Sequence, residues 1–497
     1  MKDPVALLFL ILLLASCHSP ESSTESASTP PNIILIIADD MAWDDCGAYG
    51  HPLIKTPNID QLAQDGMLFH QAYLTASSCS PSRASILTGT YPHQTDAEQL
   101  HWPIPADRMT FVEQLKQAGY WTAQAGKWHV GDAMKDRFDH VAAVGTGGFV
   151  FQANKPSWKQ SGDPTDDGSG CQQWLPTLQQ APKDRPFFLW LAAVDPHRPY
   201  PPNAPDVHAP TDVRLPAYLP DNVSVRKDFV AYYNEIYRMD QYIGTIVSEL
   251  EKQGRSENTL ILFISDNGRA FPREKTTLYD GGIKTPWIVK WPAKVRKGSE
   301  THALLSSIDI APTCLSLAGM DIDPVFEGRD FSSILTNPTA RIRDYIYAED
   351  HWHDFEDYAR AVRTTRYKYI RNFYTDIPNT PPADALRSLT FQSMLRMRKE
   401  GTLTQAQLAC FLQPRPAEEL YDVLHDPLEM INLVQDPSQQ ERLDSLRNYM
   451  EEIRRRTHDE LPVSRTADEF DRESGKPLPN RIRPRPSKAE MSSQQGT

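Results

Sequence analysis

Basic charge is in short supply in this chain. Its 497 residues include 52 Lys and Arg against 65 Asp and Glu, a net charge of −13. That balance argues against nucleic acid as a partner. It leaves an anionic substrate open, because a site can be locally basic on an acidic protein. Cysteine is scarce as well, at six residues, and their spacing is not that of a metal site. Cys46, Cys171, Cys314 and Cys410 could pair in three ways if oxidised, or remain as buried thiols. The apolar run near the N-terminus, Val5 to Leu14, is too short to span a bilayer.

What the chain does hold is length, an ordinary interior and many prolines. At 497 residues it is too long for one compact core, so two domains are expected. Composition is 40% hydrophobic and 24% charged, as in a globular protein. The 41 prolines point to long surface loops and fixed turns. Lys2 precedes the apolar run, and Leu14-Ala15-Ser16-Cys17 closes it in a way that resembles a bacterial lipobox. That resemblance implies a signal peptide over residues 1–17, lipidation of Cys17 and a place in the bacterial cell envelope, periplasmic or at the outer membrane. A plain secretory signal peptide is the alternative. Residues 18–30 are polar and read as a flexible tether, so any membrane contact would be through the lipid alone.

Three apolar runs rich in β-branched or aromatic residues read as buried central strands. Asn32 to Ala38 stops at Asp39-Asp40, and Thr259 to Ile264 stops at Ser265-Asp266-Asn267. Adjacent carboxylates at a buried strand end repel one another, and a bound cation removes that cost. Asp39, Asp40, Asp266 and Asn267 offer only oxygen, which suits Ca²⁺ or Mg²⁺ and does not suit zinc. Pro186 to Val194 runs into Asp195-Pro196-His197-Arg198-Pro199, a rigid mounting for a histidine just past a strand. Helices are expected over 56–66, 110–118 and 228–250. The last presents Phe229, Tyr233, Ile236, Ile243, Val247 and Leu250 near one face, which is core. A loop region is expected over 144–175. Strands and helices alternate to about residue 345, which argues for a mainly parallel α/β sheet. Short strands, a helix over 389–412 and a closing helix over 440–456 follow. The tail from 463 is charged and Pro-rich, and reads as disordered.

One stretch organises the rest: Ser77-Ser78-Cys79-Ser80-Pro81-Ser82-Arg83-Ala84-Ser85-Ile86-Leu87-Thr88-Gly89. Pro81 suits the first turn of a helix. Cys79 then lies just ahead of a helix N-terminus, where free N–H groups and partial positive charge attract anions. Arg83, a turn further on, can point at the same place. Downstream, Gly119-Tyr120-Trp121-Thr122 leads to Gly126-Lys127-Trp128-His129. Lys127 and His129 share a face if that segment is a strand.

These residues resemble the two signatures of the formylglycine-dependent sulfatases, Cys-x-Pro-Ser-Arg with Thr-Gly, and Gly-Tyr-x-Thr with Gly-Lys-x-His. The resemblance extends over residues 32 to about 460. It implies the alkaline-phosphatase-like fold, with a mainly parallel sheet flanked by helices and a smaller C-terminal α+β subdomain of short antiparallel sheet plus helix. The boundaries are then 31–345 for the catalytic domain and 346–462 for the subdomain. It implies oxidation of Cys79 to formylglycine (3-oxoalanine) by a formylglycine-generating or sulfatase-maturating enzyme. The aldehyde hydrate would be the nucleophile, and a cation held by Asp39, Asp40, Asp266, Asn267 and the modified Cys79, Ca²⁺ by the family's usage with Mg²⁺ as the alternative, would support it. A plain serine or cysteine would be trapped in sulfated form, whereas a hydrate can eliminate sulfate. Arg83, Lys127 and Lys275 would neutralise the sulfate, His129 would take a proton, and His197 with Lys275 would serve the leaving group. His351 would reach the substrate from the second domain, with His353, or a simple surface role for His351, as the competing readings.

Ser78 to Ser85, Asp184 to Leu189, Asp195-Pro196-His197-Arg198, Arg238-Met239-Asp240-Gln241 and Thr457-His458-Asp459 resemble the sulfamidase branch in particular. Lys275 departs from it: sulfamidase carries arginine there, and lysine is usual in O-sulfatases. The leading expectation is hydrolysis of sulfate esters of a sulfated carbohydrate, from glycosaminoglycan or algal polysaccharide. N-sulfate hydrolysis of glucosamine is the alternative. A phosphatase or phosphonate hydrolase of the same superfamily, and a glycan-binding lipoprotein without catalysis, stand behind both.

Overall fold

A computed structural model describes residues 30–144, 167–200 and 204–479. The lipobox with Cys17, the tether up to residue 29 and residues 480–497 lie outside the described residues, as does most of the loop region expected over 144–175.

The strands are β1 (Asn32–Ala38), β2 (Met67–Tyr73), β3 (Trp121–Lys127), β4 (His140–Val144), β5 (Phe187–Ala192), β6 (Thr259–Ser265), β7 (Ile288–Lys290) and β8 (Ser299–Ser306) in a first sheet. Their order is β4-β3-β5-β1-β6-β7-β2-β8, with β7 antiparallel to both its neighbours and the other pairs parallel. The apolar run of β1 has no polar face because both its faces are covered. Ile33, Leu35 and Ile37 meet the helices Cys79–Thr88, Phe111–Gln117 and Ile310–Leu317. Ile34, Ile36 and Ala38 meet Pro57–Gln64, Trp174–Gln180 and Val223–Lys252.

The longest helix starts earlier than its apolar stripe. Asn222 caps it by accepting N–H bonds from Ser224 and Val225, so Val223 opens the helix ahead of the predicted Asp228. The helix expected over 389–412 is broken instead. Leu389–Glu400 ends where Gly401 turns left-handed at φ 68°, and a short turn follows at Gln405–Leu408.

A second sheet, β9 (Ile346–Asp350), β10 (Ala359–Arg363), β11 (Tyr367–Asn372) and β12 (Glu418–Asp422), is antiparallel throughout in the order β12-β11-β10-β9. One face packs on the first sheet through Tyr73, Leu278, Ile283 and Leu304. The other receives Leu443, Leu446, Met450 and Ile453 of the Gln440–Thr457 helix. Residues 464–479, expected as part of a disordered tail, pack back on this half. Phe470 is buried among Phe355, Leu386 and Phe391, and Ala467 O accepts from Trp352 Nε1 at 3.1 Å. The charge of this segment is spent on local pairs such as Arg472–Asp468, which leaves Phe470 to dock. Cys46, Cys79, Cys171, Cys314 and Cys410 are all buried free thiols, which settles the pairing question for the described residues.

Candidate active site

The carboxyl ends of β1, β3, β5 and β6 meet at one edge of the sheet, where ligands bind in open α/β folds. Asp39 and Asp40 leave β1, and Asp266 and Asn267 leave β6, its parallel partner. Asp40 adopts a left-handed backbone at φ 68°, and its N–H donates to Asp266 Oδ1 at 3.3 Å. Strain of that kind persists where surrounding structure holds it. Cys79 is the first residue of a helix whose ten residues are all buried, with Ser78 extended ahead of it. Its Sγ lies 3.5 Å from Asp39 Oδ1, 3.8 Å from Asp40 Oδ1 and 3.2 Å from Lys275 Nζ.

Three cations interleave with the three carboxylates. Arg83 Nε donates to Asp266 Oδ2 at 2.8 Å, Lys127 Nζ pairs with Asp39, and Lys275 Nζ lies 2.6 Å from Asp40 Oδ1. Lys127 ends β3 because Gly126 lets the chain pass its neighbours. Gly126 has φ 92°, and a Cβ there would sit 1.9 Å from Ala192 O and 2.6 Å from Gly170 O. His197, between the cis peptides Asp195-Pro196 and Arg198-Pro199, brings Nε2 to 3.8 Å from Asp40 Oδ2. Its side chain is 20% exposed, whereas those of Asp39, Asp40 and Arg83 are wholly buried. His197 therefore stands at the mouth.

Burial raises Asp39 and Asp40, but Lys127 and Lys275 respectively overcome it, and both carboxyls fall below their usual range. Lys275 is held charged by Asp40 against burial. Asp266 is pushed up to about 6, because burial outweighs Arg83. Burial drives the Cys79 thiol far above its ordinary value despite Lys127 and Lys275. An unmodified Cys79 is thus a protonated thiol, a poor nucleophile. His129 is driven well below its ordinary value by burial, then by His101 and Lys127, so it is a neutral base.

Two oxygens in this knot, Asp40 Oδ2 and Asn267 Oδ1, are buried without a hydrogen-bond donor. Orphaned buried acceptors call for a partner. Asp39, Asp40, Cys79 and His197 also bring ligand atoms within 4.8 Å of one another. The all-oxygen set of Asp39, Asp40, Asp266 and Asn267 fits a hard divalent cation. With three carboxylates already matched by three cations, such an ion would leave the pocket net positive, as an anion site requires.

Asp39, Asp40, Cys79, Arg83, Lys127, His197, Asp266, Asn267 and Lys275 thus stand together. His351 does not join them. Its Nε2 lies 2.8 Å from Glu349 Oε2, inside a separate network in which Glu349 also takes His93, and Arg360, Tyr347 and Tyr358 hold Asp459. His353 is the residue that turns inward, with Nδ1 2.7 Å from Ser78 Oγ and a pKa depressed by burial, Lys275 and His101. β9 ends at Asp350, so the face-sharing of a strand does not govern 351–354. Asp354, at φ 61°, redirects the chain. His101 is the residue here that no sequence pattern announces. Its Nδ1 is 2.6 Å from His129 Nε2.

An eight-stranded, mainly parallel sheet with a pocket of interleaved carboxylates and cations at its carboxyl edge is the alkaline-phosphatase-like fold. Within that class the chain belongs to the sulfatase family: the Sulfatase profile matches residues 31–320, and the profile "N-sulphoglucosamine sulphohydrolase, C-terminal" matches 271–381. Among its relatives, an ulvan-active sulfatase of Formosa agariphila is 30% identical over 472 residues, spanning 85% of this chain and 74% of that protein. Human N-sulphoglucosamine sulphohydrolase is 31% identical over 503 residues, spanning 92% and 95%. A structure solved in complex with its substrate D-glucosamine-2-N,6-O-disulfate aligns with a TM-score of 0.65 at 20% identity, covering 87% of this chain and 99% of that one. The phosphonate monoester hydrolase of Agrobacterium radiobacter aligns with a TM-score of 0.64 at 18% identity, covering 86% and 96%. At those identities the two solved structures show a shared fold. The protein is a hydrolase of the sulfatase class.

Proposed function

We propose that the protein removes a sulfate group from a sulfated carbohydrate, using formylglycine made from Cys79 and a divalent cation. The observation that carries this reading is the placing of Cys79. It opens a buried helix with Lys275 at 3.2 Å and two carboxylates within 3.8 Å, in surroundings that keep a thiol protonated. The aldehyde hydrate would supply the nucleophile that the thiol does not. A Ca²⁺ or Mg²⁺ ion at Asp39, Asp40, Asp266 and Asn267 would lower the pKa of a bound hydroxyl and offset sulfate charge.

This chain's own residues then divide the work. Lys127 and Lys275 face the sulfate oxygens, with Arg83 fixing Asp266 behind them. His129, neutral and buried, is the base that takes a proton from the remaining hydroxyl. His197, at the mouth, serves the leaving group together with Lys275. Maturation of Cys79 by a formylglycine-generating enzyme and lipidation of Cys17 at a bacterial envelope complete the proposal.

The lead is O-sulfate, on Lys275. N-sulfate is the second reading, favoured by the match of residues 271–381 to the C-terminal part of N-sulphoglucosamine sulphohydrolase. A desulfation screen over N-sulfated and O-sulfated glucosamine separates them: N-sulfate release alone supports the second, and O-sulfate release alone excludes it. Phosphate esters run in parallel test for a phosphatase. Mass spectrometry of the Cys79 peptide tests the mechanism: an unmodified cysteine in active protein from a competent host rules it out, whereas an unmodified cysteine in inactive protein from the same host marks the glycan-binding alternative.

A further inference from the structure

We infer that His101 is a positioning residue for His129, and that the two rings act as one acid–base unit; this rests on the reading of His129 as the base. His101 Nδ1 and His129 Nε2 are 2.6 Å apart, and the ring centroids are 4.8 Å apart at an interplanar angle of 40°. Two imidazole nitrogens at that distance share one proton, because one must donate and the other accept. Both residues pay in backbone strain to meet, with φ 67° at His101 and 59° at His129.

The strain is held from two sides. The His101 N–H donates to the buried Ser80 Oγ at 2.8 Å, one residue beyond the nucleophile position. Leu100, buried beside it, donates its N–H to Trp352 O at 3.1 Å. The second half of the protein, just before His353, thereby helps set the ring.

The pairing decides which nitrogen of His129 is basic. For His129 to take a proton at Nδ1, Nε2 must carry hydrogen and His101 Nδ1 must accept it. On protonation at Nδ1, the Nε2 proton can move along the same bond to His101. His129 then keeps its new Nδ1–H, and the positive charge resides on His101. The reverse move returns the Nε2 proton to His129, and release of the Nδ1 proton to water restores the neutral pair, so water is the one further reactant. The groups facing His129 are Lys127 from β3, Arg83 from the Cys79–Thr88 helix, His197 from the mouth and His101 itself, and His101 also faces His353.

The test uses the full matured chain with its cation. His101→Ala, His101→Asn, His129→Ala and the double variant His101→Ala/His129→Ala are assayed on the sulfated glucosamine released in the screen. Asn offers a short polar group where Nδ1 sits. We expect His101→Ala to lower kcat by roughly 10²-fold with KM almost unchanged, and His101→Asn to recover about tenfold of that. The acid limb of the kcat/KM profile should move in His101→Ala. The double variant should be no slower than His129→Ala, because the two act as a unit. NMR of nitrogen-labelled histidine should find His129 protonated at Nε2. Wild-type kcat in His101→Ala beside an inactive His129→Ala overturns the proposal, as does full additivity in the double variant or an Nδ1–H tautomer. An active His129→Ala overturns the reading of the base itself. If His101→Ala does not fold, the Asn variant and the tautomer decide alone.

Discussion

The Lys275 ammonium bridges Asp40 and Cys79, 2.6 Å from Oδ1 of the first and 3.2 Å from Sγ of the second. It belongs at once to the carboxylate knot and to the nucleophile position. Lys275→Ala should therefore cost catalysis heavily. Removing one preorganised charge from a dry site costs about 10²–10³-fold in kcat. Steady-state kinetics on the released substrate checks this. Lys275→Arg keeps the charge and adds a planar fork; a rise in the ratio of N-sulfate to O-sulfate turnover is expected if this position selects between them.

Asp40 Oδ2 and Asn267 Oδ1 predict the consequence of stripping divalent ions. Chelation should abolish turnover, and Ca²⁺ or Mg²⁺ should restore it. Binding at a hundredfold excess over Kd adds about 2.7 kcal/mol to stability. The melting temperature should therefore rise on adding the ion to stripped protein. In Asp40→Asn that rise should vanish, which differential scanning fluorimetry reads without any assay of activity. An equal rise in wild type and variant would place the ion elsewhere.

Much of this site was legible because strand ends and helix starts are local signals. A β-branched run that stops at Asp39-Asp40, and another that stops at Asp266-Asn267, place these side chains at a sheet edge from sequence alone. The Pro81 register likewise places Cys79 on a helix N-terminus. The rest depends on loops. His101 lies 22 residues past Cys79 in a segment with no periodicity, and is held beside His129 by its own bond to Ser80 and by that of Leu100 to Trp352. His351 and His353 are two apart, and sequence treats them as equals. The end of β9 and the left-handed turn at Asp354 send one into the Glu349 network and the other towards Ser78. The start of the Val223–Lys252 helix escaped the apolar stripe for the same reason: its cap, Asn222, is polar.

His93 supplies a pH dependence of stability away from the catalytic knot. Its ring Nδ1 lies 2.7 Å from Glu349 Oε1, and Glu349 raises its pKa against the opposing effect of burial. A histidine raised in the folded state stabilises fully below its unfolded pKa of about 6.5. That stability is lost as pH rises through the higher folded value. Glu349, lowered to about 2 against burial, chiefly by His93, stays ionised in both states over this range. The gap in melting temperature between wild type and His93→Gln should be widest near pH 6 and narrow towards pH 9. A gap that widens with pH would contradict the charged pair.

Gly126 carries the last prediction, because it separates packing from chemistry inside one motif. It touches no substrate position, yet it precedes Lys127 and lies against β5, where it pairs with Ala192. A methyl group 1.9 Å from Ala192 O cannot be absorbed by a side-chain shift, since the obstacle is backbone. The φ of 92° adds strain for any L residue. Gly126→Ala must push β3 from β5, and with it Lys127 from Asp39. The expected cost is about 2–4 kcal/mol of stability. In whatever protein folds, kcat should fall at least as far as in Lys127→Ala, although every catalytic side chain is still present. Denaturant unfolding and kinetics on the same preparation check both halves. Full activity in a stable Gly126→Ala protein would show that the glycine's place in the motif owes nothing to the approach of these two strands.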